Sequence, residues 1–389
     1  MAAEGIILSE IADEPAAIRS TVAEAEAQVR AAAAALLSRG VRRIWIIGNG
    51  TSYHSSLHAA GLARRLAGPD DPMVVAVTAG DFVTFPPKLG QHDAIIGVSA
   101  SGEFRDVLGV FQTVRGRIPT VGIVHVPGSS LTRVADYSIL SAGGPSLTPV
   151  MTKTFSSTLS ATLLMVGAIY GEATLAQVTA GLLVAADHAD RAIAEARPVV
   201  DQLAQQLLGV EHFFVIGGGL AYPAALEAAL KLKEMALVHA EASETWEMAS
   251  GPATMVGPGT VILSLAPDGA ARAATEAVVR HCRDWGADIV EVASTRAEAD
   301  SALLPIPVGV EEQFAPLTVV PPVALLANVL AGLRGATPDQ PQWIERYHTQ
   351  GLMHILGEPG CSPAARPPAA VGQSDGAYEP SALLEPENN

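Results

Sequence analysis

Cysteine is nearly absent: the 389 residues include two, Cys282 and Cys361. Two distant thiols make neither a disulfide framework nor a CxxC ligand pair, so no structural metal site is expected. Charged residues are scarce at 16% and aromatics at 5%, against 49% hydrophobic. A chain so apolar is not intrinsically disordered; at roughly 150 residues per domain it makes two or three units, each with a core. Basic residues are in deficit, 24 Lys and Arg against 40 Asp and Glu, for a net charge of −16. Without clustered cations the chain has no footprint for a nucleic-acid backbone, and no such partner is expected. One phosphate on a small molecule stays compatible, because backbone N–H groups and hydroxyls can hold it locally. A long clean apolar run is missing too. The longest stretch, Pro316 to Leu333, contains Pro321, Pro322 and Asn328. It reads as a buried helix entered through a proline turn, not a membrane span. Glu4, Glu10 and Asp13 interrupt the first apolar stretch, which does not fit a secretory leader. A cytoplasmic chain without membrane association is therefore expected.

An Ala-rich helical stretch, Ala16 to Ser38, comes first. Apolar β-branched runs follow at Ile44–Ile47, Val74–Val77, Ile95–Val98, Val121–Val126 and Tyr137–Leu140, several of them separated by helical stretches. This alternation predicts a parallel sheet covered on both faces. After a long helical region from about Ser156 to Ala196, the pattern restarts at Phe213–Ile216, Val261–Leu265, Ile289–Val292 and Leu304–Val308. The restart is an internal repeat. Ile47-Gly48-Asn49-Gly50-Thr51-Ser52-Tyr53 aligns with Ile216-Gly217-Gly218-Gly219-Leu220-Ala221-Tyr222. The expected fold class is α/β, two doubly wound parallel sheets in tandem flanked by helices. The expected division is a helical segment over 1–40, a first domain over 41–195, a second over 196–347 and a tail over 348–389. The tail is Pro-rich and aperiodic, and disorder is expected from about 357.

The two halves differ chemically. The first Gly turn carries Thr51 and Ser52 where the second has Leu220 and Ala221. After the third strand the first half has Ser99-Ala100-Ser101-Gly102, and the second has Leu265-Ala266-Pro267-Asp268. A hydroxyl-rich corner at the carboxyl end of a strand suits an anion. The plainer alternative makes Ser99 and Ser101 helix N-caps. A dinucleotide site does not fit: both Gly turns lack the third glycine, and Ala67-Gly68-Pro69 stands where an acidic ribose reader belongs.

Pro223 to Val238 reads as a helix with Pro223 in its first turn. Leu226, Leu230 and Leu237 form an apolar stripe at helical spacing. Glu227, Lys231 and Glu234 share a neighbouring face at i, i+4 and i+7. They make either a surface ion-pair ladder or a carboxylate base paired with a lysine at a cleft, an arrangement suited to moving a proton beside a carbonyl. Downstream, His239-Ala240-Glu241 and Ser243 to Pro252 form a polar segment between helix and strand.

Together, Gly50-Thr51-Ser52-Tyr53-His54, Ser99-x-Ser101-Gly102-Glu103, Thr152-Lys153-x-Phe155 and Tyr222-Pro223-x-Ala225-Leu226-Glu227-x-Ala229-Leu230-Lys231-Leu232-Lys233-Glu234 resemble the SIS (sugar isomerase) family. The resemblance is to the isomerase part of the glucosamine-6-phosphate synthases, runs over about residues 10 to 347, and extends to Asp339-Gln340-Pro341. It implies two SIS domains, a homodimer, a sugar phosphate or aminosugar phosphate as ligand, and no cofactor or metal. By resemblance, Ser52, Ser99 and Ser101 hold the phosphate. Gly50, Thr51, Ala100, Met151, Glu247 and Arg346 carry over as further substrate-binding positions. Glu234 is the base between C1 and C2, Lys231 assists, and Ser250 occupies a catalytic position.

The departures from that pattern are specific. No glutaminase domain and no N-terminal cysteine nucleophile occur in this sequence, so chemistry without glutamine amidotransfer is expected. Phe104 stands where the family has a phosphate-binding Thr, Ser250 replaces the ring-opening histidine, and Arg346 replaces a Schiff-base lysine. Serine does not titrate near neutrality and arginine forms no Schiff base. Ring opening then falls to another group such as His239 or Glu247, unless the substrate arrives acyclic or the chemistry has changed. The expected function is an aldose–ketose isomerase or an aminosugar-phosphate isomerase or deaminase. A non-catalytic sugar-phosphate sensor and a deglycase cleaving a sugar–amine C–N bond are the alternatives.

Overall fold

The computed structural model describes residues 5–297 and 300–344. Arg346, Cys361 and the tail expected from 348 lie outside the described residues. Two helices lead in, α1 (Ile6–Ala12) and α2 (Glu14–Ser38). The first half then runs β1 (Arg43–Gly48), α3 (Thr51–Leu66), β2 (Met73–Thr78), α4 (Ala79–Thr84), β3 (Asp93–Val98), α5 (Arg105–Val114), β4 (Thr120–Val124), α6 (Ser130–Val134) and β5 (Tyr137–Leu140). Its five strands are parallel in the order β2-β1-β3-β4-β5. All six residues of β3 and all five of β4 are buried, as near-continuous apolar runs require of central parallel strands.

The helical region after β5 is two helices, α7 (Lys153–Ile169) and α8 (Glu172–Gln206). Gly171, at φ 102°, supplies the break, a backbone state that side-chain-bearing residues rarely adopt. The second half follows as β6 (His212–Gly217), α9 (Tyr222–Lys231), β7 (His239–Glu244), α10 (Thr245–Ser250), β8 (Val261–Leu265), α11 (Arg272–Asp284), β9 (Asp288–Ala293), β10 (Ala302–Pro305) and α12 (Pro316–Leu333). Its strand order, β10-β9-β8-β6-β7, is the order of the first sheet read from the other edge. The internal repeat is thus a repeat of topology as well as of sequence.

β7 corrects the sequence reading, which left its residues as a polar connection. Ala240 and Ala242 alternate with His239, Glu241 and Ser243, and the strand pairs with β6 alone as an edge. An edge strand needs few bulky apolar residues, so its signal is faint. α12 is long and apolar enough to cross a membrane by composition, but it is 78% buried within the protein. It packs on α8 and α9 in the central core, as the proline-entered buried helix anticipated.

Candidate active site

In each sheet the chain leaves its first strand toward one edge and returns on the other side. This opens a crevice at the carboxyl ends of β1 and β3 in the first half. The Gly48–Ser52 turn and the Ser99–Ser101 turn sit there. Gly48 is required by close approach: a Cβ on it would lie 2.9 Å from the Ser52 Cβ and 3.0 Å from the Val98 carbonyl oxygen. Gly50 adopts φ 50°, ψ −128°, accessible in practice to glycine alone. The turn delivers Thr51 and Ser52, both buried, as the first residues of α3.

The Ser99–Ser101 loop is not a helix cap. α5 begins four residues later, at Arg105, and its N-cap is Phe104, which makes no side-chain capping bond. Instead the Gly102 N–H donates to Ser99 Oγ at 3.1 Å, and the Glu103 N–H to Ser101 Oγ at 3.3 Å. Each hydroxyl accepts inside the turn and keeps its own proton to donate. Ser99 is buried, Ser101 is exposed, and Ala100 uses its carbonyl to accept from the His125 and Val126 N–H groups. Phe104 packs into the apolar cluster around Phe111.

The expected surface stripe on α9 is inverted. Glu227 is 0% and Lys231 1% exposed, whereas Leu226 and Leu230 are half-buried and Leu237 is 48% exposed. Ala224, Ala225, Ala228 and Ala229 allow α3 and α12 to approach the polar face closely. The ion-pair ladder is therefore a buried network. Lys231 Nζ lies 3.2 Å from Glu227 Oε1, donates to Glu234 Oε2 at 2.8 Å, and donates to the Met151 carbonyl at 3.0 Å. Glu227 in turn accepts from Thr51 Oγ1 at 2.9 Å and contacts His54 Nδ1 at 2.7 Å. Three successive polar contacts thus lead from Glu234 in the second half to Thr51, the neighbour of Ser52, in the first.

Electrostatics within this network are complementary. Burial alone pushes the Glu227 carboxyl up, but Lys231, His54 and Thr51 hold it below the usual carboxylate value. Burial alone would lower Lys231, but Glu234 and Glu227 raise it above the ordinary lysine value. Both groups are therefore charged at neutral pH.

Glu234 sits on a π-helical turn, Leu232–Ala236, that continues α9. Leu237, which ends the turn at φ 55°, is the one non-glycine residue with positive φ among the described residues. Wide π turns and local strain of this kind collect at functional sites. The Trp343 indole N–H donates to the Glu234 carbonyl at 2.8 Å and fastens the turn. The helix expected to run unbroken to Val238 therefore stops at Lys231, and the change of pitch sets the direction of the Glu234 side chain.

Of the expected site residues, the structure joins Thr51, Met151, Lys231 and Glu234 in one network and places Gly50, Ser52, Ser99, Ala100 and Ser101 on the two adjoining turns. Glu247 and Ser250 do not join them. Both are exposed on α10, where Ser250 Oγ donates to the Trp246 carbonyl at 2.8 Å. Glu227 enters the sequence reading only through its i, i+4 spacing to Lys231, and His54 only as the end of the Gly50–His54 motif; neither is given a role of its own there. The run of alanines beside Glu227, which marks a closely packed face, is the further signal that it is buried.

A model of the SIS domain matches residues 39–168 and again 206–331. The chain is 32% identical over 342 residues to a glutamine–fructose-6-phosphate aminotransferase (isomerizing) of Methanothermobacter thermautotrophicus, covering 86% of this chain and 56% of the relative. It is 33% identical over 352 residues to the protein of the same name from Aeropyrum pernix, with the same coverages. The chain thus spans little more than half the length of these relatives. The C-terminal domain of glucosamine-fructose-6-phosphate aminotransferase from Francisella tularensis superposes with a TM-score of 0.78 at 24% identity, over 87% of this chain and 99% of that one. Two matches to one domain model, on two sheets of the same strand order, leave a single assignment: the chain belongs to the SIS domain family.

Proposed function

We propose that the chain catalyses a proton shift between C1 and C2 of a sugar phosphate, as an aldose–ketose isomerase or an aminosugar-phosphate isomerase or deaminase. The observation that carries this reading is the contact chain from Glu234 through Lys231 and Glu227 to Thr51, beside the serine turns. In this reading Ser52, Ser99 and Ser101 donate hydroxyl hydrogens to the phosphate, and the helix start at Thr51 adds its dipole. Glu234 removes the proton from C1 of an open-chain ketose and returns it to C2. Lys231, held charged between two carboxylates, stabilises the negative oxygen of the enediolate. With an amino group on C2 of the aldose, the same shift in reverse gives a C2 imine. Water hydrolyses that imine to the ketose and ammonia.

The test is hydrogen exchange in heavy water with fructose 6-phosphate and, separately, glucosamine 6-phosphate, followed by NMR. Deuterium is expected at C1 or C2, with E234Q losing it. S52A combined with S101A is expected to weaken the phosphorylated ligand by about 1–3 kcal/mol per lost bond. Binding with no exchange on these two sugars or across a broad panel of sugar phosphates overturns the enzyme reading in favour of a sugar-phosphate sensor. The position of Ser250, outside the network, favours that second reading.

A further inference from the structure

The two halves share one topology, but the crevice of the second half is occupied. Its turns are Gly217–Ala221 after β6 and Ala266–Ala270 after β8, the counterparts of the two serine turns. Neither offers a hydroxyl. What sits between them is a carboxylate from a distant part of the same chain, Glu312, just ahead of α12. The Leu220 N–H donates to Glu312 Oε1 at 3.4 Å and the Ala270 N–H to Oε2 at 3.2 Å. Arg65, from α3 of the first half, brings Nη1 to 3.6 Å from Oε2. Two backbone donors from two loops and one guanidinium therefore surround an anion.

The seat is shaped for that anion. A Cβ on Gly219 would lie 2.9 Å from Glu312 Oε1, and one on Gly269 would lie 2.8 Å from its carboxyl carbon. The turn bearing Glu312 is stapled to α3: His58 places Nε2 2.7 Å from the Gln313 carbonyl and Nδ1 3.1 Å from the Leu220 carbonyl. Outside the carboxylate lies a cavity of about 640 Å³ bordered by Arg64, Arg65, Asp268 and Glu311.

We propose that Glu312 stands in for a ligand: the second half holds an oxyanion site of the phosphate class, kept closed by a carboxylate of its own chain. A carboxylate and a phosphate use the same donors, and a tethered carboxylate competes at high effective concentration. The doubled fold would then offer one phosphate site per chain rather than two, and loss of Glu312 would open the second. Nothing in this depends on the chemistry proposed for the first half.

The experiment counts inorganic phosphate per chain by calorimetric titration, with the first corner disabled by S52A and S101A. Adding E312A is expected to give one phosphate per chain, at least tenfold tighter than in the double variant alone. E312Q, whose neutral amide competes more weakly for the two N–H groups and can swing out of the seat as a backbone-fixed methyl cannot, is expected to gain in the same direction but less than E312A, and guards against a misfolded alanine variant. Adding G269A to E312A fills the vacated seat with a methyl and should abolish the gain. The proposal is overturned if E312A and E312Q, folded by circular dichroism, bind no more phosphate than their parent. It is equally overturned if the gain survives G269A, because the ion then sits elsewhere.

Discussion

Glu14 is the first residue of α2, directly after the break at Asp13, and it is 1% exposed. Ser156 Oγ donates to its Oε2 at 2.5 Å, and Oε1 meets no partner among the described residues. Burial pushes this carboxyl up from 4.5 to about 8, against the lowering effects of the Ser156 hydroxyl and Lys231; Glu227 and Glu10 reinforce the rise. The folded protein thus keeps a proton on Glu14 at neutral pH, where the unfolded chain has released it. Between pH 4.5 and about 8 the native state binds more protons than the unfolded state, so this group's contribution to stability falls as pH rises. Each pH unit is worth about 1.4 kcal/mol, so the cost at pH 7 is about 3 kcal/mol.

Glutamine has nearly the same shape, can accept from Ser156, and has no proton to lose. The stability of E14Q relative to the parent is therefore expected to rise by about 3 kcal/mol between pH 5 and pH 7, on top of a pH-independent difference from the buried amide. Urea unfolding of both proteins at the two pH values reads the difference. The decisive quantity is how the gap between the variants changes with pH, because contributions common to both proteins cancel. A gap that stays constant from pH 5 to pH 7, or narrows, would show that Glu14 ionises normally and refute the argument.

Three further outcomes follow from particular contacts. K231M removes the cation beside Glu227 and leaves a 0%-exposed carboxylate with only Thr51 and His54; the expected loss is about 3–5 kcal/mol in urea unfolding, and a loss below about 1 kcal/mol would contradict a buried pair. L237G relieves the positive φ that ends the π turn, so the protein should gain up to about 1 kcal/mol despite the added freedom of the unfolded chain, and a clear loss would mean that the leucine side chain packs usefully. Asp339 accepts from the N–H groups of Ile6 and Ile7 at 3.0 and 2.8 Å, so D339A is expected to fray α1, seen as faster hydrogen exchange at those two amides and about 1 kcal/mol of lost stability.

What the sequence could show depended on whether the cause was local. Central strands such as β3 and β4 were legible because a strand buried on both faces must be apolar along its length. The repeated Gly turn was legible because a strand–turn–helix corner needs glycine at fixed places. β7 was not, because an edge strand built from alanine, glutamate and serine carries little hydrophobic signal. The buried face of α9 is hidden from the sequence for a different reason. Leucine at helical spacing normally marks the buried face, and here alanine does, because the small face is the one that α3 and α12 approach. The partners that make Glu227 tolerable inside the protein, Thr51 and His54, lie 176 and 173 residues earlier in the chain. No window along the sequence contains both sides of that contact.

This distance has a structural consequence. A buried charge network contributes little net stability, since desolvation offsets most of the attraction, but it tolerates little displacement, because any partner lost leaves a charge uncompensated. Glu227 is charged, inaccessible, and supplied with donors from both halves of the chain. A slide of the second half against the first by the length of one hydrogen bond would strand it. The same contacts that exact this geometry connect Thr51 of the first serine turn, which belongs wholly to the first half, to Glu234, which belongs wholly to the second. The second crevice is closed by the same means, with Arg65 of the first half set against Glu312 of the second. In both places a carboxylate of one half is held by groups of the other, so the spacing of the two halves and the composition of each crevice are fixed by the same contacts.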